Sequence, residues 1–185
     1  MSKAVMISIH PYWCEKIASG QKTIEIRKTR PKIETPFKCY IYCTQDNKND
    51  LIIKNHKGYL FGKISNRAKK NLTESWIANG QVIGEFVCDE VLSDIIIKRS
   101  VDDFSMTPQA ERALNQSCLN KYAMYEYLSE RSGYGLHISD LVIYNNPKEL
   151  SEFKGRKLVW RGNNHIHDYE TMIRPPQSWC YVMEL

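Results

Sequence analysis

The chain has 185 residues, of which 42% are hydrophobic and 25% are charged, with a formal net charge of +5. This composition excludes a chain that is disordered throughout, and the length predicts one domain over residues 1–185. No apolar run approaches the ~20 residues of a membrane span, and Met1–Ile9 resembles a first strand more than a signal peptide, so we predict a cytoplasmic protein without membrane contact.

The basic residues are concentrated in two stretches. Residues 16–32 contain six Lys or Arg and one Glu, and residues 51–73 contain six Lys or Arg and no acid. Such an asymmetry favours a face of the protein that attracts phosphates. The alternative interpretation is that these lysines simply solvate two surface loops.

The six cysteines contain no CxxC pair, and they predict buried free thiols. Cys39 with His56 is an alternative pair of metal ligands, which we disfavour against simple burial. We therefore predict no metal site and no cofactor.

The N-terminal region predicts a strand, a helix and a second strand. Ala4–Ile9 is a nearly continuous apolar run, as expected for a buried strand. Pro11 suits the first position of a helix, and Gly20 suits the residue that follows one. Thr23–Lys28 then alternates between apolar and polar residues, which predicts a half-buried strand.

The polar face of this second strand carries Thr23, Glu25 and Arg27, and Lys22 precedes it at the turn. Glutamate and arginine two residues apart are costly to bury unpaired. The pattern therefore indicates either a solvated outer face or a polar cleft.

The remaining elements complete a mixed α/β, mainly β, fold. The predicted strands are Lys38–Thr44, Gly58–Ile64, Gly80–Val91, Leu136–Tyr144 and Gln177–Glu184. The predicted helices run from Thr107 to about Asn115, over Asn120–Ser129, and briefly within Pro147–Phe153. Residues 45–56 and 154–176 are predicted as polar loops, and Gly133 and Gly135 as the flanks of a turn. About seven strands with peripheral short helices favour a small β-barrel over a sandwich.

The segment from Ile9 to Lys28 carries a family resemblance. It reads His-Pro-Tyr-Trp at the start of the helix and Ser-Gly-Gln-Lys-Thr-Ile-Glu-Ile-Arg after it. This order resembles the opening of the ASCH family, whose members are PUA-like β-barrel proteins of phage and bacterial type among others. Three later segments also resemble ASCH proteins, namely Gly80–Phe86, Leu141–Pro147 and Pro175–Val182. Residues 92–132 and 154–174 lie outside the resemblance and are predicted as insertions, the first of them helical.

The resemblance implies a cleft between the first helix and the core strands, lined by Lys22, Glu25 and Arg27. By analogy with PUA domains, it implies that a basic cleft binds RNA, single-stranded nucleic acid or a nucleotide, with a regulatory role as one option. The candidate ligand-binding residues are Trp13, Lys22, Thr23, Glu25, Arg27, Lys28 and Trp179. Lysine and arginine suit phosphate, and the tryptophans suit stacking on a base. Trp13 also lies on an apolar helix face, which equally predicts a core residue.

An enzymatic function is the first alternative. One ASCH-like branch hydrolyses the acetyl amide of N4-acetylcytidine, and Lys22 matches a lysine implicated in its catalysis. Lys22 and Glu25 are then the catalytic candidates, for that substrate or for RNA. The branch has a threonine nucleophile where this chain has Glu25. Glu74 and Glu85 are the candidates for its downstream glutamate.

A second alternative is a partner-binding protein of a mobile element. The tyrosines of the predicted helical insertion would supply its surface, at Tyr122, Tyr125 and Tyr127. The sequence leaves the oligomeric state open.

Overall fold

The computed structural model describes residues 3–54, 58–72, 75–101, 103–161 and 164–185. These residues contain fifteen strands, four α-helices and a short 3-10 helix at Leu150–Glu152. The strands are β1 (Lys3–Ile9), β2 (Ile24–Arg27), β3 (Phe37–Cys43), β4 (Asp50–Lys54), β5 (Gly58–Gly62), β6 (Ser75–Ile77), β7 (Val82–Cys88), β8 (Val91–Ile95), β9 (Ile97–Arg99), β10 (Phe104–Met106), β11 (Gly133–His137), β12 (Ser139–Lys148), β13 (Lys154–Arg161), β14 (Asn164–Thr171) and β15 (Trp179–Met183). The helices are α1 (Pro11–Ala18), α2 (Asn66–Lys70), α3 (Pro108–Gln116) and α4 (Lys121–Leu128).

The largest sheet has seven strands in the order β12-β7-β3-β1-β15-β13-β14. Strand β1 lies at its centre, parallel to β3 and antiparallel to β15. Val5 and Ile7 pack into one core cluster, while Ala4 and Met6 pack into another on the opposite face. Because both faces of β1 are buried, its sequence is a nearly continuous apolar run.

A further core cluster joins β2 to the helical segment. Ile24 and Ile26 of β2 pack with Ala113 of α3 and with Met124 and Leu128 of α4. Strand β2 itself belongs to a three-stranded sheet of order β2-β11-β8. The packing therefore brings α3 and α4 against the strand that carries the predicted polar cleft.

The mainly β fold with peripheral short helices is confirmed, but its strands do not close into one barrel among the described residues. In the part of the chain that the structure describes, the three smaller sheets, β2-β11-β8, β5-β4-β6 and β9-β10, form no strand pairing with the large one. The sheet β5-β4-β6 packs against the large one through side chains: Leu51 and Ile53 of β4 lie in the same cluster as Ile7 and Ile9 of β1.

Two segments predicted as polar loops contain strands. Strand β4 lies within residues 45–56, and the hairpin of β13 and β14 lies within residues 154–176. The hairpin pairs with itself along its length, whereas only Gly155 pairs with β15, at Val182. Because most of the hairpin covers no sheet face, its sequence needs no apolar alternation, and periodicity does not reveal it.

The prediction of a turn flanked by Gly133 and Gly135 is wrong, since both glycines lie within β11. A Cβ on Gly135 would meet the side chains of Ile24 and Ile95 at 2.9 and 3.0 Å. The glycine thus permits close packing of neighbouring strands. Gly84 of β7 also permits a close backbone approach, because a Cβ there would collide with the carbonyl oxygen of Val142.

Four of the six free cysteines are buried, as predicted, namely Cys14, Cys39, Cys43 and Cys88. Cys180 is half-buried and Cys118 is exposed. His56, the alternative metal partner of Cys39, lies outside the described residues. Across the described ranges, no helix has the length and apolar character needed to cross a membrane.

Candidate functional site

A pocket of about 380 Å³ lies where the end of β1, the start of α1, strand β2 and helix α4 meet. Its lining comes from three separate segments of the chain: Ser8, Ile9, His10, Trp13, Lys22, Glu25, Ile26, Arg27, Leu119, Ala123 and Tyr127. The strand predicted to border a cleft therefore does border one.

The turn between α1 and β2 directs the polar residues into this pocket. Gly20 adopts a φ of 75°, a left-handed conformation that glycine tolerates and that ends the helix. The N–H of Lys22 then donates to the carbonyl of Lys16 at 2.9 Å. The N–H of Thr23 donates to the carbonyl of Gln116, also at 2.9 Å, which ties β2 to the end of α3.

Lys22, Glu25 and Arg27 form a buried ionic triad on β2 and the turn before it. Glu25 Oε2 lies 3.2 Å from Lys22 Nζ, and Glu25 Oε1 lies 3.0 Å from Arg27 Nη2. The three residues are only 3%, 7% and 7% exposed. Each carboxylate oxygen faces one cation, and the triad keeps a formal charge of +1. The polar face of β2 is thus a buried surface and not a solvated outer one.

Backbone carbonyls hold the two cations in place. Lys22 Nζ donates to the carbonyl of Ser117 at 3.0 Å. Arg27 Nη2 donates to the carbonyl of Ser8 at 2.7 Å, and Arg27 Nη1 donates to Ser178 Oγ at 3.4 Å. Arg27 Nε is buried without a hydrogen-bond partner among the described residues. Such a donor is costly to leave unpaired, so Arg27 has unused hydrogen-bonding capacity.

Two aromatic residues contribute to the pocket wall. Lys22 Nζ lies 5.4 Å from the centroid of the Trp13 ring, within the range of a cation–π interaction. Trp13 is half-buried and packs against the main core cluster, so it serves both the core and the pocket. Tyr127 of α4 is 37% exposed, and burial of its hydroxyl raises the pKa of the phenol.

His10 stands at the mouth of the pocket with both ring nitrogens engaged. Its Nδ1 accepts the N–H of Tyr12 at 3.3 Å, which caps α1. Its Nε2 lies 3.2 Å from Asp46 Oδ2. The N–H of Lys48 donates to Asp46 at 2.8 Å and lowers the pKa of this carboxyl. Because Nδ1 accepts, Nε2 carries the proton of the neutral ring.

Four of the seven predicted ligand-binding residues line the pocket, namely Trp13, Lys22, Glu25 and Arg27. Lys28 is exposed just outside it, with Nζ 5.2 Å from the Tyr127 ring centroid. Thr23 and Trp179 are not among the lining residues. Trp179 Nε1 instead donates to Thr29 Oγ1 at 3.1 Å.

Of the two candidates for a downstream glutamate, the one that the structure describes gives no second carboxylate at the pocket. Glu85 lies 3.0 Å from Lys38 Nζ and accepts a hydrogen bond from Tyr144 at 2.5 Å, and it does not line the pocket. Glu74 lies outside the described residues.

Sequence reasoning misses the wall that α4 and its preceding loop supply. Leu119, Ala123 and Tyr127 come from the predicted insertion over residues 92–132. The apolar stripe of α4 is visible in the sequence and includes Ala123 and Tyr127. Periodicity indicates a face that packs against something, but only the tertiary structure shows that part of this face lines a pocket.

The residues that line the pocket provide charged and acid–base groups, and no cysteine is among them. Cys14 is fully buried on α1, and burial is the main cause that raises the pKa of its thiol. A thiol attacks in its thiolate form, so the raised pKa disfavours Cys14 as a nucleophile. The lining residues supply an ammonium, a guanidinium, a carboxylate and an imidazole, which suit anion binding or proton transfer.

Comparison with known proteins identifies the family. The model of the ASCH domain family matches residues 7–174. A crystal structure of ASCH from Zymomonas mobilis is 17% identical, with a TM-score of 0.57 and coverage of 98% of this chain and 88% of that one. A tyrosine-to-phenylalanine mutant of that protein gives a TM-score of 0.58 at 17% identity, covering 99% and 92% of the two chains. No curated protein matches the sequence.

At this identity the solved structures show a shared fold. The family match shows membership of the family as well, because it spans most of the chain, including β2 and the residues around the pocket. The protein belongs to the ASCH domain family.

Proposed function

We propose that the protein binds RNA or a nucleotide in the pocket, with Lys22, Glu25 and Arg27 as its central contacts. The observation that carries the proposal is the buried triad, whose formal charge stays at +1 after pairing. Charge removed from water without full compensation is costly, and an anionic ligand would supply the compensation. The link between ASCH domains and RNA binding supports the same choice of ligand.

The two cations have distinct roles in this proposal. Arg27 supplies a guanidinium whose Nε has no partner among the described residues, and this fork suits a phosphate or a base carbonyl. Lys22 supplies a compact charge beside the Trp13 ring. Glu25 holds both cations in place through its two oxygens.

The aromatic wall gives a reason to prefer a nucleotide over a bare anion. Trp13 and Tyr127 present rings at the pocket, and ring faces stack on bases whatever the sequence. Lys28 stands next to Tyr127 outside the pocket, and a phosphate of a neighbouring nucleotide would meet it there. The predicted contribution of Thr23 and Trp179 to ligand binding stays a prediction, as do a cytoplasmic location and a regulatory role.

Binding measurements with matched variants test the proposal. Labelled single-stranded RNA is titrated with the wild type, Lys22→Ala, Arg27→Ala and the exposed control Lys98→Ala. Each hydrogen bond to a charged group contributes about 1.5–3 kcal/mol, so we expect affinity losses of about 10-fold to 100-fold for the first two variants. Lys98→Ala should bind as the wild type does. Equal affinity in all four proteins with intact thermal unfolding would contradict the proposal.

A hydrolase that uses the same residues is the second candidate. It is favoured by the 3.2 Å distance between Lys22 Nζ and Glu25 Oε2, which allows proton exchange between them. In amide hydrolysis, water would add to the acyl carbon, the C–N bond would break, and the leaving nitrogen would take a proton. Incubation with N4-acetylcytidine and with labelled RNA tests this. Product that disappears in Lys22→Ala supports an enzyme, and no product from either substrate removes the candidate.

A further inference from the structure

A line of exposed cations leads away from the pocket along the segment that follows β2. Lys28, Arg30 and Lys32 alternate with Thr29 and Pro31, and all three cations are exposed. Arg156 of β13 is the next cation, because it lies beside the ring of Tyr181, and the hydroxyl of Tyr181 accepts the N–H of Lys32. We call Lys28, Arg30, Lys32 and Arg156 the cation track.

An aromatic ring lies beside three of the four cations of the track. Lys28 Nζ is 5.2 Å from the ring centroid of Tyr127, which also lines the pocket. The Arg30 guanidinium carbon is 5.8 Å from the Tyr134 ring centroid. That of Arg156 is 5.3 Å from the Tyr181 ring centroid.

The backbone of the track is fixed to the large sheet. The N–H of Lys32 donates to the hydroxyl of Tyr181 at 2.8 Å. The indole of Trp179 donates to Thr29 at both the carbonyl and Oγ1, at 3.3 and 3.1 Å. Tyr181 and Trp179 in turn pack edge to face at 5.4 Å. The cations are therefore presented from an anchored surface, which lowers the entropy lost when a ligand binds.

In the described ranges, the cations of the track have no carboxylate partners. Some surface cations are neutralised within the protein, for example Lys121 by Asp103 at 2.6 Å and Arg112 by Glu90 at 2.7 Å. Within the part of the chain that the structure describes, none of the four track residues has a carboxylate within the 4.0 Å of an ion pair. Their charge is free for an external anion.

We infer that the cation track binds the phosphates of a single-stranded polynucleotide whose end nucleotide occupies the pocket. The inference rests on the proposed function and extends it from a nucleotide to a chain of defined path. Three features carry it: the cations without carboxylate partners, the tyrosine rings beside them, and Tyr127, which lies next to Lys28 of the track and also lines the pocket. Alternating cations and rings match the alternating phosphates and bases of a single strand.

The test compares two variants that lose the same charge. Arg30→Gln/Lys32→Gln/Arg156→Gln removes three cations from the track, none of which lines the pocket. Lys63→Gln/Arg67→Gln/Lys70→Gln removes three exposed cations from the other basic stretch, none of which lines the pocket. Uridine monophosphate and an oligouridine of about ten nucleotides serve as probes, since single-strand sites span about 4–16 nucleotides. Affinity is measured over a series of salt concentrations.

We expect the wild type to bind the oligonucleotide more tightly than the mononucleotide. The track variant should lose this gain and keep mononucleotide affinity. Its plot of log affinity against log salt concentration should become shallower by about 2, because each phosphate that a cation neutralises on a single strand adds about 0.7 to the slope. The variant of the other stretch should retain at least most of the gain.

The remaining outcomes separate the inference from the proposed function. Equal wild-type affinity for both probes, or equal losses in the two variants, would overturn the track and leave the pocket intact. Equal competition by polyglutamate would also overturn it, since the track would then be a site for any polyanion. Failure of the wild type to bind either probe would overturn both.

Discussion

Glu25 is the residue on which the geometry of the pocket depends. It is 7% exposed and places one oxygen on each of two cations that would otherwise repel each other. Removing one partner of a buried ion pair costs more than the pair contributes, because it leaves a charge uncompensated. The triad therefore holds the site together even if its net contribution to folding is small.

The first prediction concerns the stability of this triad. Glu25→Gln should lower the free energy of unfolding by about 3–5 kcal/mol, because Lys22 and Arg27 lose their common counterion. The control is Glu170→Gln, which breaks an exposed pair with Lys157 at 2.7 Å and should cost about 1 kcal/mol or less. Thermal and urea unfolding measure both.

A double variant makes this prediction specific to charge. In Lys22→Met/Glu25→Gln, one of the uncompensated cations is gone, so the loss should be smaller than the sum of the two single losses. Additive losses, or a Glu25→Gln variant as stable as Glu170→Gln, would show that the ion pairs do not couple.

At the scale of elements, the site requires β2 to be held between two helices from distant parts of the sequence. The end of α1 directs the chain into β2, and the carbonyls of Gln116 and Ser117 after α3 bind Thr23 and Lys22. Helix α4 then supplies Tyr127. The segment predicted as a helical insertion is thus part of the pocket and not an appendage.

The second prediction tests the contribution of α4 through its cap. Asn120 Oδ1 accepts the N–H of Ala123 at 2.8 Å, so Asn120→Ala should lower stability by about 1 kcal/mol and fray the start of the helix. Because Ala123 and Tyr127 line the pocket, binding of single-stranded RNA should weaken as well.

The matched control removes the same kind of cap from α2, which contributes no lining residue. Ser65 Oγ accepts the N–H of Ala68 at 3.2 Å, and Ser65→Ala should lose stability without losing affinity. If both caps changed RNA binding equally, α4 would have no particular part in the site.

These elements also show how far the sequence alone leads. The strand, helix and strand up to Arg27 are predictable because Pro11, Gly20 and the alternation around Ile24 and Ile26 are local signals. The cleft residues Lys22, Glu25 and Arg27 follow from the same segment together with the family resemblance. Burial of the triad is predictable only as one of two options, since a polar strand face alone does not reveal what covers it.

What the sequence does not predict depends on contacts between distant segments. In the sequence, Gly135 resembles a turn residue. Its actual role is to leave room for the side chain of Ile24 in a neighbouring strand, and the sequence does not show this contact. The β13–β14 hairpin resembles a loop because it is stabilised mainly by pairing with itself. Closure of the sheets is likewise a property of the assembled strands, and the predicted barrel is open among the described residues.

At the scale of the whole molecule, the distribution of basic residues predicts the path that a bound polynucleotide takes over the surface. Residues 16–32 supply both the triad and most of the cation track, so a single stretch of sequence runs from the pocket floor to the anchored surface beside β15. The second basic stretch is on other elements, where Lys69 is paired with Asp50 at 2.7 Å. A polynucleotide is expected to follow the first stretch and not the second.

Photo-crosslinking of RNA to the protein tests most directly whether the end nucleotide lies in the pocket. Single-stranded RNA with a terminal 5-bromouridine is irradiated with the protein, and the attached peptide is located by mass spectrometry. We expect the RNA to attach at Trp13 or Tyr127, and we expect this crosslinked peptide to be lost in Arg27→Ala. Attachment at the β13–β14 hairpin or at residues 63–70, with none at the pocket, would contradict it.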